Sequence, residues 1–257
     1  MLYDELLKFS QERLLEFFKN TKIFENQFVF NDFSKICYEK MYVNNSYSDL
    51  LSIKSFKEEY PELRDLCKKC AAFYIPARNK SIPKYDVILG KQHEEILMDF
   101  LSKKLSAKIV RGDLQNRKYP DCKLLNNSEN ALAYFEVKFH GAPFIYALNK
   151  IGRYCYEGSA TLDYKKIEKQ IEIIHDEIDC PVFYLHWIEY PCLKGVFFET
   201  VDQVEKYIAT QHEEFNRAER EGDLQKTEKS RYTKKMYSPL LEMGSFEEFI
   251  EVIERLM

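Results

Sequence analysis

Two periods of apolar residues follow one another along the chain. Up to residue 88 the spacing is helical: Leu6, Leu7, Leu14, Leu15, Phe17 and Phe18 recur at helix-face intervals, and SDLLSIKSFKEEY and PELRDLCKKCAAFY continue the pattern. Ser48-Asp49 suits a helix start, and Pro61 suits a first helical turn. The two prolines of PARNKSIPKYD mark the best boundary. From His93 the pattern changes. HEEILMDFLSKKL predicts an amphipathic helix, and SAKIVRGD, YPDCKLLN and ALAYFEVKF predict three short strands, with NNSEN as a turn between the last two. Beyond an irregular aromatic stretch, LDYKKIEKQIEIIHDEI predicts a helix, and PVFYLHWIEY and LKGVFFE two further strands. Residues 202–220 read as a charged, solvated helix and QKTEKSRYTKKMY as a basic loop. SFEEFIEVIERLM reads as a closing helix, with Ser245 and Glu248 in capping-box spacing.

The order helix, three strands, helix, two strands predicts an α/β fold with a mixed sheet flanked by helices. Two units are expected: a helical amino-terminal region, residues 1–88, and a core over residues 89–257 that ends in a C-terminal helical extension.

Composition narrows the class. The 257 residues are 45% hydrophobic and 31% charged, which excludes a disordered or collagen-like chain. No run of about 18 apolar residues is present to span a bilayer, and the first residues carry acids throughout. Seven irregularly spaced cysteines fit free thiols better than a disulfide framework. A soluble, intracellular, cytoplasmic protein with no membrane partner is expected. The net charge of -4 neither favours nor excludes nucleic acid, since a local basic groove can sit on an acidic protein.

The strand ALAYFEVKFH poses a chemical question. Alternation puts Phe135, Val137 and Phe139 on one face and Tyr134, Glu136, Lys138 and His140 on the other. A hairpin through NNSEN brings Asp121 beside that polar face. Two adjacent carboxylates repel unless a cation lies between them, and oxygen-only ligation suits Mg²⁺, with Mn²⁺ able to substitute. A lysine beside such an ion can hold or activate a water for attack on a phosphodiester. The bland reading of Glu136 and Lys138 is an ordinary ion pair on a half-exposed sheet face.

Pro120-Asp121 followed by Glu136-Val137-Lys138 resembles the PD-(D/E)XK nuclease superfamily, the restriction-endonuclease-like fold. The resemblance covers roughly residues 91–200 and includes the order of elements. It implies a Mg²⁺-dependent endonuclease acting on DNA, with restriction or defence as its setting and cleavage as a homodimer in many members. By position it makes Asp121, Glu136 and the Val137 carbonyl metal ligands and Lys138 the residue that places the attacking water. It further implies a Glu from the helix before the first strand, assigned here to Glu94, and a polar residue from the next helix, Lys166 or Gln170. Acid-x-Lys by itself also occurs at Asp121-Cys122-Lys123 and Asp163-Tyr164-Lys165, so the strand context carries the assignment.

His140 shares the polar face and is expected as a structural or substrate-lining histidine, and Lys150 and Arg153, just after the strand, are expected to contact the substrate. Lys226, Lys229, Arg231, Lys234 and Lys235, with Tyr232 and Tyr237 interleaved, suit phosphate contact and base stacking, and equally a solvated loop. Cys67 and Cys70 have zinc-site spacing but no second pair follows. Two other functions fit the same residues: a non-catalytic nucleic-acid-binding module of this fold, and a ribonuclease, which the sugar-independent chemistry does not separate from a DNase.

Overall fold

The computed structural model describes residues 1–21, 58–61, 64, 65, 68, 83–116, 118–141, 159–190, 193–210, 215, 216 and 234–257. Its elements are helices α1 (Leu2–Thr21) and α2 (Pro83–Lys104), strands β1 (Lys108–Arg111), β2 (Cys122–Leu125), β3 (Ala131–His140) and β4 (Ser159–Asp163), and helix α3 (Tyr164–Glu177). Strands β5 (Val182–Glu189) and β6 (Lys194–Thr200), helix α4 (Val201–Thr210), strands β7 (Phe215–Asn216), β8 (Lys234–Pro239) and β9 (Gly244–Ser245), and helix α5 (Phe246–Leu256) complete the order.

A six-stranded mixed sheet, ordered β1-β2-β3-β5-β6-β9, is the centre of the α/β architecture. Its one parallel pair, β3 with β5, puts Lys138 opposite His186 and Glu136 opposite Tyr184; the other pairs are antiparallel. The crossover between β3 and β5 carries α3, as parallel neighbours require a long connection. A three-stranded sheet, β4-β8-β7, lies beside it.

One face of the large sheet is apolar because alternate residues of its central strands are: Phe135 and Val137 on β3, Phe183, Leu185 and Trp187 on β5. Against it pack Leu2 and Leu6 of α1, Ile96, Leu97, Phe100 and Leu101 of α2, and Phe246, Phe249, Ile250 and Ile253 of α5. The Phe249 ring sits 5.4 Å from Phe135, 5.7 Å from Phe183 and 5.5 Å from Phe198 between centroids. Ser245 closes the predicted capping box on α5: its hydroxyl accepts from the Glu248 N–H at 3.2 Å, and the Glu248 carboxylate accepts from the Ser245 N–H at 2.7 Å.

The second face meets α3 and α4 through Ile167, Tyr184, Val204 and Tyr207, joined by Leu162 and Met236 of the small sheet. Among the described residues no helix is long and apolar enough to cross a membrane.

Three expectations about elements are corrected. Helix α2 begins at Pro83, not His93; proline starts a helix readily because its missing N–H lies among those left unpaired there. Lys234–Tyr237 were expected in a basic loop, yet they form β8 by pairing with β4, a long-range contact that polar alternation does not announce. The helix expected over residues 202–220 ends at Thr210, and β7 follows. The stretches around Ser48, Cys67, Cys70, Lys226, Lys229, Arg231 and Tyr232 lie outside the described residues.

Candidate active site

The predicted turn forms as a tight polar loop: the Asn126 side-chain oxygen accepts from the Ser128 and Asn130 N–H groups, each at 2.9 Å, and Glu129 takes a left-handed φ of 63°. Pairing of Cys122 with Phe135 then sets Asp121 beside Glu136. Asp121 accepts the Val137 N–H through Oδ2 at 2.9 Å. Continuing the register places Pro120 opposite Val137, and proline has no N–H to give to the Val137 carbonyl. The β1 side is held closely as well. The Gly112 N–H donates to the Asp121 carbonyl at 3.0 Å, and a Cβ at Gly112 would collide with the Pro120 carbonyl oxygen.

Glu136 is completely buried, so the bland reading of a half-exposed ion pair does not describe it. Its carboxylate accepts from the ammoniums of Lys138 and Lys166, the latter at 2.7 Å, and from the Gln170 amide at 2.8 Å. The Tyr184 hydroxyl donates to the Gln170 oxygen at 3.0 Å, which fixes which way that amide faces. Helix α3 thus delivers Lys166 and Gln170, one turn apart, to the same carboxylate.

Charges in this cluster pull in opposite directions. Burial, and after it the Glu136 charge, raises the Asp121 carboxyl to about 6, against Lys138, Lys166 and the Val137 N–H. Burial also works against the ionised Glu136, but Lys138 and Lys166 outweigh it and bring that carboxyl down to about 2. Burial disfavours the charged Lys138 too, and the two carboxylates more than offset it, so the ammonium is held above its ordinary range. The site therefore contains one firmly ionised carboxylate, one that ionises reluctantly, and two ammonium groups.

The remaining expected residues fall as follows. Glu94 lies on α2, mostly covered, and pairs with the Arg111 guanidinium, which Glu95 also reaches at 3.3 Å. It thus faces a cation one strand away from Asp121. His140 is on the predicted face, bonded through Nε2 to Nδ1 of His186 at 3.0 Å. Lys150 and Arg153 lie outside the described residues.

Sequence reasoning missed His186 and Glu199. His186 Nε2 meets Glu199 Oε1 at 2.8 Å, and both side chains are fully buried. Alternation along β5 groups Tyr184 with His186, but only the parallel register of β5 against β3 shows that this pair adjoins Glu136 and Lys138.

The oxygen donors here, two carboxylates and a backbone carbonyl, fit a hard divalent ion in chemical type. The chain matches no protein-family model and no curated protein. Among solved structures it is similar to a nuclease from a fusselovirus, at 12% identity and a TM-score of 0.35, over 67% of this chain and 90% of that one. A likeness this weak carries no functional inference.

Proposed function

We propose that the chain is a Mg²⁺-dependent endonuclease with a restriction-endonuclease-like core that hydrolyses phosphodiester bonds of DNA in a restriction or defence setting. The single observation that carries this reading is the convergence of the half-buried Asp121 and Lys138 on the fully buried Glu136, a polar contact the sheet does not need for stability. An apolar pair of similar volume would stabilise a sheet interior at least as well as buried ions. In this reading Asp121, Glu136 and the Val137 carbonyl hold the ion, which neutralises charge developing on the phosphate when bound. Lys138 orients the attacking water. Lys166 and Gln170 hold Glu136 in place; Lys166, part-exposed, also contacts the substrate, while Gln170 is completely buried with both amide atoms bonded. Glu94 joins the site when Arg111 turns toward nucleic acid, and Lys150 and Arg153 contact the substrate.

The test is cleavage of linear and circular duplex DNA, single-stranded DNA and RNA in Mg²⁺, Mn²⁺ or EDTA, comparing the native chain with Lys138→Ala and Asp121→Ala. Metal-dependent cutting of DNA that both substitutions abolish, in chains that remain folded, supports the reading. Preferential cutting of RNA makes the protein a ribonuclease. Nucleic-acid binding without cutting, unaffected by Lys138→Ala, makes it a binding module.

A further inference from the structure

His140, His186 and Glu199 form one hydrogen-bonded chain across three neighbouring strands, running from the polar face of β3 into the interior. The rings of His140 and His186 lie nearly parallel, 28° apart with centroids at 5.2 Å. His186 and Glu199 are both completely buried, and Glu199 Oε2 has no hydrogen-bond partner among the described residues. Nothing in the proposed metal site uses this chain.

The protons can be counted. An anionic Glu199 beside a neutral His186 leaves a buried negative charge with no cation bonded to it among the described residues, which is costly. A proton shared by the pair removes that cost, as carboxylate with imidazolium or as carboxylic acid with imidazole. Either form fills the Glu199–His186 contact with one proton and leaves a hydrogen on Nδ1 of His186. That Nδ1–H donates to His140 Nε2, which must then be a bare acceptor. His140 stays neutral: burial, then His186, Lys138 and Lys235, hold its pKa well below the usual imidazole range. A neutral ring with a bare Nε2 carries its one hydrogen on Nδ1, and that atom has no partner among the described residues.

We propose that Glu199 and His186 lock His140 as the neutral Nδ1–H tautomer, and that this N–H donates to a phosphate oxygen of the nucleotide next to the bond being cut. The phosphate role rests on the nuclease reading above. His140 lies on the same face as Lys138, two residues and thus about 7 Å along the strand, which suits a contact beside the scissile phosphate. Glu199 and His186 are positioning residues here, because they act only through His140.

Two measurements test this. Long-range ¹H–¹⁵N correlation on the native chain, with His140→Gln used for assignment, should show His140 neutral and protonated at Nδ1; protonation at Nε2 overturns the lock. Anisotropy of a labelled DNA duplex in EDTA then reads the contact. His140→Ala should weaken binding about tenfold or more, the size of a lost hydrogen bond to a charged oxygen. His140→Asn, whose amide nitrogen occupies the place of Nδ1, should stay within about threefold of native, while His140→Gln, whose amide matches Nε2, should not. Equal behaviour of the Asn and Gln variants overturns the phosphate contact. A native chain that binds no nucleic acid overturns the nuclease reading and the phosphate role together, and the tautomer is still judged by the spectrum.

Discussion

The two faces of the central sheet are built by the same strands and differ in almost everything else. On one, Phe135, Val137, Phe183, Leu185 and Trp187 meet three helices in an apolar layer. On the other, Glu136 and Tyr184 bond to Lys166 and Gln170 of α3, Lys138 pairs with Glu136, and His140, His186 and Glu199 bond in series. Strand alternation gives each residue only one of these environments, so a single strand, β3, serves stability with its odd positions and chemistry with its even ones. Charges are buried on the second face at a cost that a merely stable fold avoids.

The largest expected effects separate the faces. Phe135→Ala should lower stability by about 3–5 kcal/mol, read by urea unfolding. Lys138→Ala should reduce cleavage about a thousandfold or more, and it should also cost stability, since it removes part of the positive charge that offsets the burial of Glu136. If Lys138→Ala remains folded and still cleaves as the native chain does, the division between faces is wrong.

Next comes a titration on the apolar side. His93 is buried with its Nδ1–H donating to the Leu89 carbonyl at 2.8 Å, stacked on Phe139 and edge-on to Trp187. Burial lowers its pKa to about 4 from 6.5. The unfolded chain therefore takes up a proton that the folded chain resists in this window, so stability is full above about pH 6.5 and falls as pH drops toward 4, by on the order of 3 kcal/mol. His93→Phe should flatten that slope in unfolding curves taken across the range.

Asp121 gives the opposite sign. Its carboxyl is raised to about 6, so its ionisation costs more in the folded chain than in the unfolded one, and its contribution to stability declines as pH rises from about 4 to 6. Asp121→Asn should thus stabilise the metal-free chain at pH 7, on the order of 1–2 kcal/mol, while removing metal response. The smallest effect belongs to a feature outside both faces: Ser245→Ala should cost about 1 kcal/mol through loss of the α5 cap.

The apolar face was legible in the sequence because its residues repeat with the period of their own strand. The same holds for the Asp121–Glu136 meeting, which needs only one hairpin and the Asn126 turn. What escaped reading depends on partners distant in the chain. β8 exists because β4 pairs with it, and His186 joins the polar face because β5 lies parallel to β3. Glu94 was assigned from the resemblance as the acid of the helix before the first strand, but its pairing with Arg111 depends on how α2 sits over β1. Local periodicity encodes which face a residue occupies, whereas strand order decides what it meets there.

The central claim is that the polar face holds a divalent ion between Asp121 and Glu136. Calorimetric titration of the metal-free chain with Mn²⁺ tests it most directly, repeated with Asp121→Asn. The account predicts one saturable site in the native chain, release of protons at pH 6 as Asp121 ionises, and no binding in the variant. Equal binding by both chains, or none by either, would contradict it.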